Sequence, residues 1–593
     1  MDATLAFVSV GCNAASNALS IPSNVPRSHQ FCGAFAAKNV VSLLSSNGSG
    51  APLTVVKTLK HLEPTADSSR LTCVRLQFAP KSSTVWIIAG DSDGRVFLWT
   101  WTQDKQDWEL LQMCHTDSEL PAVAVAAVAI AETSRRQLFF ATFSDGTLAV
   151  FQEIRASGKV TLMTKLELGV KCIMEAVDAV ALTYEAEGEK EENVLLAAGG
   201  VDSKVHLFEV AGGFDALTPL LELEGHRGWI RSLSFHKQQA DSDVMLASAS
   251  QDQRIRLWKI TGRSKGSWKE NSREVHDGFL AVGQQVKYTV SFDALLVGHE
   301  DWVTSVQWMR LPCDGDTKSG TQDSSQLALL SSSMDNTLIV WTKPKDNRGW
   351  SPSLRVGELG GNGLLFAGAL PTHNNPLNLI SLNFGGQLER WEQQSSPSKL
   401  FYPAISVNGH CAEVTDLSWS PRGDYLVSVS LDQTARVMAP SKLSTGNSSN
   451  WHEISRAQVH GYDINCACFV QGVHSTNDQF VSGADEKILR VFEAPDEVKL
   501  LVDEMKRSDN FVNDRSTGTL DSKTQVSHSP ETSATVNCSL LSEVAWEDSP
   551  SAAILRLAWK PTVHKDGLVL AAASSDSSVR IYNVVLNGKT VPT

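Results

Sequence analysis

The residues GHEDWVTSVQW at 298–308 and LALLSSSMDNTLIVW at 327–341 together contain the pattern that indicates the fold. A Gly-His step precedes a short apolar run, and a second apolar run leads into Asp335, which begins a tight turn. Beyond the turn, Leu, Ile and Val lead to Trp341, six residues after the Asp. Such runs, separated by turn residues, predict antiparallel strands joined by short connections.

The same pattern recurs along the chain. An Asp followed six residues later by an aromatic residue occurs at Asp93/Trp99, Asp145/Phe151, Asp202/Phe208, Asp252/Trp258, Asp335/Trp341 and Asp576/Tyr582. Between Asp252 and Trp258 apolar residues alternate with Arg254 and Arg256, as expected for a half-buried strand. Gly-His steps precede several of these segments, at 225–226, 298–299 and 409–410, and His460-Gly461 is an inverted one. Repetition of this kind indicates a repeat architecture.

A Gly-His step, two strands, an Asp-led turn and a strand that ends in Trp resemble the WD40 repeat, whose blades have four antiparallel strands in ~40–45 residues. The resemblance implies an all-β fold, a WD40 β-propeller. The third strands of successive blades end near Leu43 (a weak match), Trp99, Phe151, Phe208, Trp258, Trp341 and Trp391, then at Met438, Phe492 and Tyr582. We therefore expect one seven-bladed ring over 1–395 and an incomplete second propeller of about three blades over 396–593. Non-repeat insertions, expected to be surface loops or disordered segments, fall at about 259–291, 312–325, 440–450 and 503–548, and disorder is expected above all at 503–548.

The recurring His, Asp and Trp residues are expected to form a buried polar network in each blade, linked by a Ser or Thr. Its candidate members are His226, Asp252, Trp258, His299, Asp335, Trp341, His410 and Asp432. A catalytic or metal-binding interpretation is the alternative, but a single active site would not recur at every blade. We predict a structural role, with neither catalytic nor metal-binding residues.

Composition limits the classes of function. The 593 residues carry a net charge of −14, which gives no electrostatic footprint for unaided nucleic-acid binding. The ten Cys show no CxxC pair, which disfavours both a zinc site and a disulfide framework. The apolar run at 122–131 is far below the ~20 residues of a membrane span, and the start of the chain shows no basic signal region. We expect a protein of the cytoplasm and nucleus.

Several stretches resemble a particular WD40 family, that of the second subunit of the Elongator complex: HGYDINCACFV at 460–470, FVSGADEKILRVFEAP at 480–495 and FVSVGCNAASNALS at 7–20. The resemblance implies a non-catalytic scaffold without a cofactor, which docks the largest subunit and the catalytic radical-SAM and acetyltransferase subunit. It would support modification of the tRNA wobble uridine and meet tRNA only indirectly. A WD40 signalling adaptor, or a propeller with microtubule or transcription-factor contacts outside Elongator, is the alternative; an enzyme that uses the propeller channel is a third.

Partner-binding residues are sought among exposed aromatics, because these dominate binding hot spots. Trp229 and Trp302 each follow a Gly-His step by three residues in adjacent blades, where loops gather on one face, although packing between blades would explain them equally well. A basic stretch with Trp268, comprising Lys259, Arg263, Lys265, Lys269 and Arg273, could contact RNA phosphates, but a solvated loop is the favoured interpretation.

Overall fold

A computed structural model divides the chain into two compact units, each described by itself below. The first, here called the ring, is Cys12–Ala404; the second, here called the C-terminal unit, joins Met1–Gly11 to Ile405–Thr593. The structure describes residues 9–22, 31–46, 53–60, 69–78, 84–102, 107–115, 123–133, 137–154, 159–169, 171–186, 189–210, 217–237, 243–264, 278–283, 286–312, 325–344, 349–357, 366–372, 378–393, 401–404, 406–441, 450–456, 460–470, 478–486, 488–494, 496, 498, 500, 502, 536–537, 539–544, 554–559, 568–574 and 579–584.

The first four blades of the ring are sequential antiparallel sheets of four strands each, within the described residues. Blade 1 contains β1–β4, blade 2 β5–β8, blade 3 β9–β12 and blade 4 β13–β16. Their bounds are β1 Leu19–Ser20, β2 Gly33–Ala37, β3 Val40–Ser46, β4 Leu53–Leu59, β5 Leu71–Phe78, β6 Val85–Asp91, β7 Arg95–Thr102, β8 Asp107–His115, β9 Val125–Glu132, β10 Gln137–Phe143, β11 Thr147–Ile154, β12 Lys159–Glu167, β13 Met174–Ala186, β14 Glu189–Gly200, β15 Val205–Val210 and β16 Leu217–Leu223.

Three further sheets complete the described part of the ring. Blade 5 has the order β17-β18-β19-β21-β20, while blade 6 (β22–β25) and blade 7 (β26–β29) have four strands each. Their bounds are β17 Ile230–Lys237, β18 Asp243–Ser250, β19 Arg254–Ser264, β20 Gly278–Val282, β21 Val286–Val297, β22 Val303–Pro312, β23 Ser325–Ser333, β24 Thr337–Thr342, β25 Ser351–Gly357, β26 Phe366–Thr372, β27 Asn378–Asn383, β28 Leu388–Gln393 and β29 Phe401–Ala404. The predicted all-β WD40 propeller fold is confirmed.

Blade 5 departs from the sequence prediction in one respect. Residues 259–291 were expected to be a non-repeat insertion, but β19 continues to Ser264 and pairs with the first half of β21. The additional strand β20 then pairs with β21 at the outer edge of the sheet. The expectation was wrong because it relied on the WD40 motif, which this stretch lacks. Val286, Tyr288 and Val290 stand at every second position and are all buried, and this alternation by itself indicates a strand.

The blades surround one channel. Each inner strand, or the residue directly after it, contributes at least one residue to the lining of this channel, among them Ile21, Leu76, Ile130, Asp178, Ser234, Gln307 and Leu370. At the seam between the first and last blades, the Cys12 N–H donates a hydrogen bond to the Gly386 carbonyl at 2.9 Å. A sheet that lies between two others needs two apolar faces, and β18 shows how the sequence supplies them. Val244 and Leu246 pack toward blade 4, whereas Met245, Ala247 and Ala249 pack toward blade 6.

The described residues of the C-terminal unit form three sheets. Blade 8 has the order β30-β31-β32-β33-β37, blade 9 the order β34-β35-β36-β38, and blade 10 the order β39-β40-β41. Their bounds are β30 Val414–Trp419, β31 Leu426–Ser430, β32 Ala435–Ser441, β33 Asn450–Arg456, β34 Ile464–Phe469, β35 Gln479–Ala484, β36 Leu489–Glu493, β37 Val536–Asn537, β38 Ser539–Val544, β39 Ile554–Trp559, β40 Leu568–Ser574 and β41 Val579–Val584.

The predicted insertion at 503–548 is in part ordered into this unit. Strand β38 pairs with β36, and the two-residue β37 pairs with β33, so the end of the predicted insertion supplies strands rather than disorder. Residues 503–535 lie outside the described residues. In the described segments no helix is long and apolar enough to cross a membrane.

A chain of hydrogen bonds crosses blade 6 from one strand to the next. His299 Nδ1 lies 2.9 Å from Asp335 Oδ2, and His299 Nε2 lies 2.8 Å from Ser331 Oγ. The Trp341 indole N–H donates to the same Ser hydroxyl at 2.9 Å. Because the carboxylate accepts from Nδ1, the hydroxyl donates to Nε2 and accepts from the indole, and each buried polar group has a partner.

The other blades keep parts of this network. Blade 5 repeats it with His226, Asp252, Ser248 and Trp258, at 2.9, 2.9 and 3.3 Å. In blade 8, His410 bonds Asp432 and Ser428, while Met438 stands at the Trp position. In blade 9 a Glu replaces the Asp, with His460 Nδ1 2.7 Å from Glu486 Oε1.

The turn Asp of blade 2 is not the residue that the repeat spacing predicts. Asp93 is half exposed, whereas Asp91 is buried and accepts the backbone N–H groups of Asp93 and Arg95. The Asp91 carboxylate also pairs with the Arg95 guanidinium at 2.7 Å. A carboxylate two residues earlier can close the same turn, so a fixed spacing identifies the turn but not the acceptor.

Removal of one hydroxyl should expose the dependence of blade 6 on its network. Ser331→Ala leaves the His299 and Trp341 ring nitrogens buried without their partner, which costs about 1–3 kcal/mol for each group. We expect amide hydrogen exchange in β23 and β24 to accelerate at least about tenfold. Ser351→Ala, at an exposed serine of the same blade, is the control and should change exchange little. Equal protection in the two variants would contradict the structural role.

Acid should remove the contribution of Asp335 to stability. Burial alone would raise the pKa of Asp335, but the hydrogen bond and charge interaction with His299, together with the Thr337 hydroxyl, lower it from 3.8 to about 2. The unfolded chain therefore binds this proton more readily, and stability is lost as the pH falls from 3.8 toward about 2.

We expect the difference in melting temperature between the wild type and Asp335→Asn to be constant near neutral pH and to shrink across that acid window. The Glu300→Gln variant, which removes an exposed charge nearby, controls for the loss of one negative charge. A difference that persisted unchanged down to the lower end of the window would contradict the role assigned to this carboxyl.

Candidate docking face

The network carboxylates also hold the loops that enter each inner strand. Asp252 Oδ2 accepts the backbone N–H of Arg227 at 3.0 Å, and Asp335 Oδ2 accepts that of Glu300 at 2.9 Å. In each loop, the residue after the His is therefore held by a hydrogen bond to the turn of the same blade. The predicted structural residues and the predicted partner-binding residues are therefore neighbours in space and not separate features.

Trp229 and Trp302 occupy equivalent places on these loops. Their backbone carbonyls accept N–H groups from the turns of the same blades, Trp229 from Gln251 and Trp302 from Met334, both at 3.0 Å. Their side chains are each 41% exposed, although a Trp is more commonly packed away from water. A fixed backbone with an exposed indole suits an anchor that loses little freedom when a partner binds.

The corresponding loops of the C-terminal unit carry acidic residues instead. Three residues after His410 and His460 stand Glu413 and Asp463. Their carbonyls accept from Leu431 and Asp485, as the Trp carbonyls do in the ring. The backbone geometry is thus common to the repeat, whereas the exposed Trp distinguishes blades 5 and 6 among the blades with a Gly-His step.

The channel of the ring contains an ion pair that the repeat pattern could not indicate. Arg75 Nη2 donates to Asp178 Oδ1 at 2.9 Å, and the Phe235 N–H donates to Asp178 Oδ2 at 2.7 Å. Burial raises the pKa of Asp178, and the charge of Arg75 and the hydrogen bond from Phe235 oppose that rise. Because both oxygens are engaged, the carboxyl ties blades 2, 4 and 5 together and is poorly placed to act as a base.

Other predicted sites are placed as follows. In the basic stretch, Lys259 pairs with Asp243 at 2.9 Å, while Lys265, Trp268, Lys269 and Arg273 lie outside the described residues. Among the residues that the structure describes, no group of three or more His, Cys, Asp or Glu side chains could hold a metal ion. The network His, Asp and Trp residues are brought together within blades and do not converge on a common pocket.

Comparison with known proteins agrees with this architecture. The family model described as WD domain, G-beta repeat matches residues 217–259, 291–342 and 401–437. The chain is 33% identical over 520 residues to Elongator complex protein 2 of Arabidopsis thaliana, covering 84% of this chain and 59% of that protein. It is 32% identical over 487 residues to the Homo sapiens protein of the same name, covering 79% and 56%.

A third relative, Elongator complex protein 2 of Danio rerio, is 32% identical over 416 residues, covering 69% of this chain and 46% of that protein. The chain spans about half the length of the curated relatives that it matches. The identity extends well beyond the segments that match the general repeat model, so it reflects more than a shared repeat. The protein therefore belongs to the WD40-repeat family of Elongator complex protein 2.

Proposed function

We propose that this chain is a non-catalytic scaffold subunit of an Elongator complex, which docks the largest subunit and the catalytic subunit and so supports modification of the tRNA wobble uridine. The relatives that match most of its length carry the name of that complex. The observation that carries the docking role is the pair of exposed indoles, Trp229 and Trp302, at equivalent positions of adjacent blades. Partners would meet the face of the ring on which these loops lie.

The proposed mechanism is docking onto a preformed surface. The loops are fixed by hydrogen bonds to Asp252 and Asp335, so partner binding need not order them. An exposed aromatic ring offers a large contact area at a small cost in side-chain freedom. With a net charge of −14, the chain is poorly suited to hold tRNA directly, and its contribution to the RNA reaction would pass through the subunits that it positions.

Truncation of the two indoles should weaken partner binding without unfolding the ring. For Trp229→Ala combined with Trp302→Ala we expect the dissociation constant for the partner subunits to rise at least about 30-fold, the size of a hot-spot loss. Phe279→Ala is the matched control, because Phe279 is 61% exposed on the outer strand of blade 5. Binding would be measured by biolayer interferometry with purified Elongator subunits, after circular dichroism has shown an unchanged fold.

Unchanged binding by the folded double variant would contradict docking through this face. In a parallel experiment, the wild-type chain is incubated with tubulin and with the Elongator subunits. Capture of tubulin together with no binding to the Elongator subunits would favour the alternative role as an adaptor outside the complex.

A further inference from the structure

The loops that enter the inner strands place an apolar side chain at one equivalent position in four consecutive blades. At this position the backbone carbonyl accepts an N–H from the residue directly after the second strand of the same blade, at 2.9–3.0 Å. Two of the four side chains are the exposed indoles, and the other two are partly exposed. We call these residues the apolar row: Ala124 of blade 3, Ile173 of blade 4, Trp229 of blade 5 and Trp302 of blade 6.

The channel of the ring is occupied at the end beside the apolar row. The side-chain amide of Asn17, which precedes β1, donates to the carbonyls of Ala126 in blade 3 at 3.2 Å and Glu175 in blade 4 at 2.8 Å. The Asn17 carbonyl accepts the N–H of Val74 in blade 2 at 2.8 Å. Ala126 and Glu175 each stand two residues after a member of the row, so this bridge lies close to it. A partner that meets the row therefore lies across the rim and does not enter the channel from this side.

Charged side chains of different sign accompany three members of the row. Two residues before the members in blades 4, 5 and 6 stand Lys171, Arg227 and Glu300. All three are exposed, and among the described residues none of them forms an ion pair with another side chain. In blade 6 the neighbouring Asp301 adds a second carboxylate. The row is therefore accompanied by positive charge at blades 4 and 5 and by negative charge at blade 6.

This charge pattern fits a protein segment better than a nucleic acid. A nucleic acid carries charge of one sign, so phosphates attracted by Arg227 would meet the carboxylates of Glu300 and Asp301 in the next blade. A protein segment can carry charges of both signs together with apolar side chains. Because network carboxylates hold the backbone N–H groups of Arg227 and Glu300, the two charges also stand on loops of fixed position. Such a surface can distinguish one order of partner charges from the reverse order.

We propose that these charges set the direction in which a partner lies on the docking face. The partner is a segment of an Elongator subunit that presents apolar side chains to the row, an acidic side chain to Lys171 and Arg227, and a basic side chain to Glu300. The inference rests on the proposed function, since the segment belongs to a subunit that docks on this face. In the reversed direction like charges would face each other at both ends, which lowers affinity and slows association.

An exchange of two charges tests the proposal without a change in net charge. In Arg227→Glu combined with Glu300→Arg, two equivalent positions swap their signs and the chain keeps its net charge of −14. We expect the dissociation constant for the purified Elongator subunits to rise at least about tenfold at about 0.1 M salt, mainly through slower association. In about 1 M salt, where the Debye length falls to about 3 Å, the difference from the wild type should shrink. Biolayer interferometry measures both rates, after circular dichroism has shown an unchanged fold.

A single reversal with a matched control separates position from net charge. Arg227→Glu should weaken binding, whereas Lys60→Glu, at an exposed lysine directly after the outer strand of blade 1, changes the net charge equally and should not. Equal effects of the two reversals, or wild-type binding by the exchanged variant, would overturn the inference. If truncation of Trp229 and Trp302 still weakens binding in that case, the proposed function stands. A wild-type chain that binds none of the Elongator subunits would overturn both.

Discussion

The constraint on which this structure depends is that a twisted four-stranded sheet with two apolar faces cannot exist alone in water. Each blade of the ring is buried by its two neighbours, as β18 shows with Leu246 toward one and Ala247 toward the other. A linear stack would leave its two ends uncovered, and closure into a ring removes both. The hydrogen bond from Cys12 to Gly386 at the seam is small by itself, but it marks where that closure is made.

The hydrogen-bond network of each blade provides partners for polar groups that the propeller architecture buries. Loops between blades bring backbone N–H groups and a His close to the apolar interface, where an unpartnered polar group is costly. One carboxylate, such as Asp335, satisfies the ring of His299 and the backbone of Glu300 together. The residue that stabilises the blade therefore also fixes the loop on which Trp302 lies. The stability of blade 6 and the position of the loop that carries Trp302 thus depend on the same carboxylate.

Much of this could be predicted from the sequence because the repeat is local. His226, Asp252 and Trp258 lie within 33 positions of one another, counted inclusively, and their spacing recurs, so the blade and its network follow from pattern alone. A Ser or Thr could be expected in each network, but the positions Ser248 and Ser331 could not, because Ser is too common in the sequence to single out one position. Asp93 was the wrong acceptor because Asp91 can close the same turn. The Arg75–Asp178 pair joins different blades across the channel, and no single repeat contains its signal.

If the recurring His, Asp and Trp residues support a ring and do not form reactive sites, the blades of Cys12–Ala404 must close on one another. The most direct measurement is an electron cryomicroscopy map of the full chain at a resolution that separates the sheets. We expect seven blades around one channel, with the segment at Cys12 beside the turn at Gly386. A different number of blades, or an open seam between the first and the last, would contradict it.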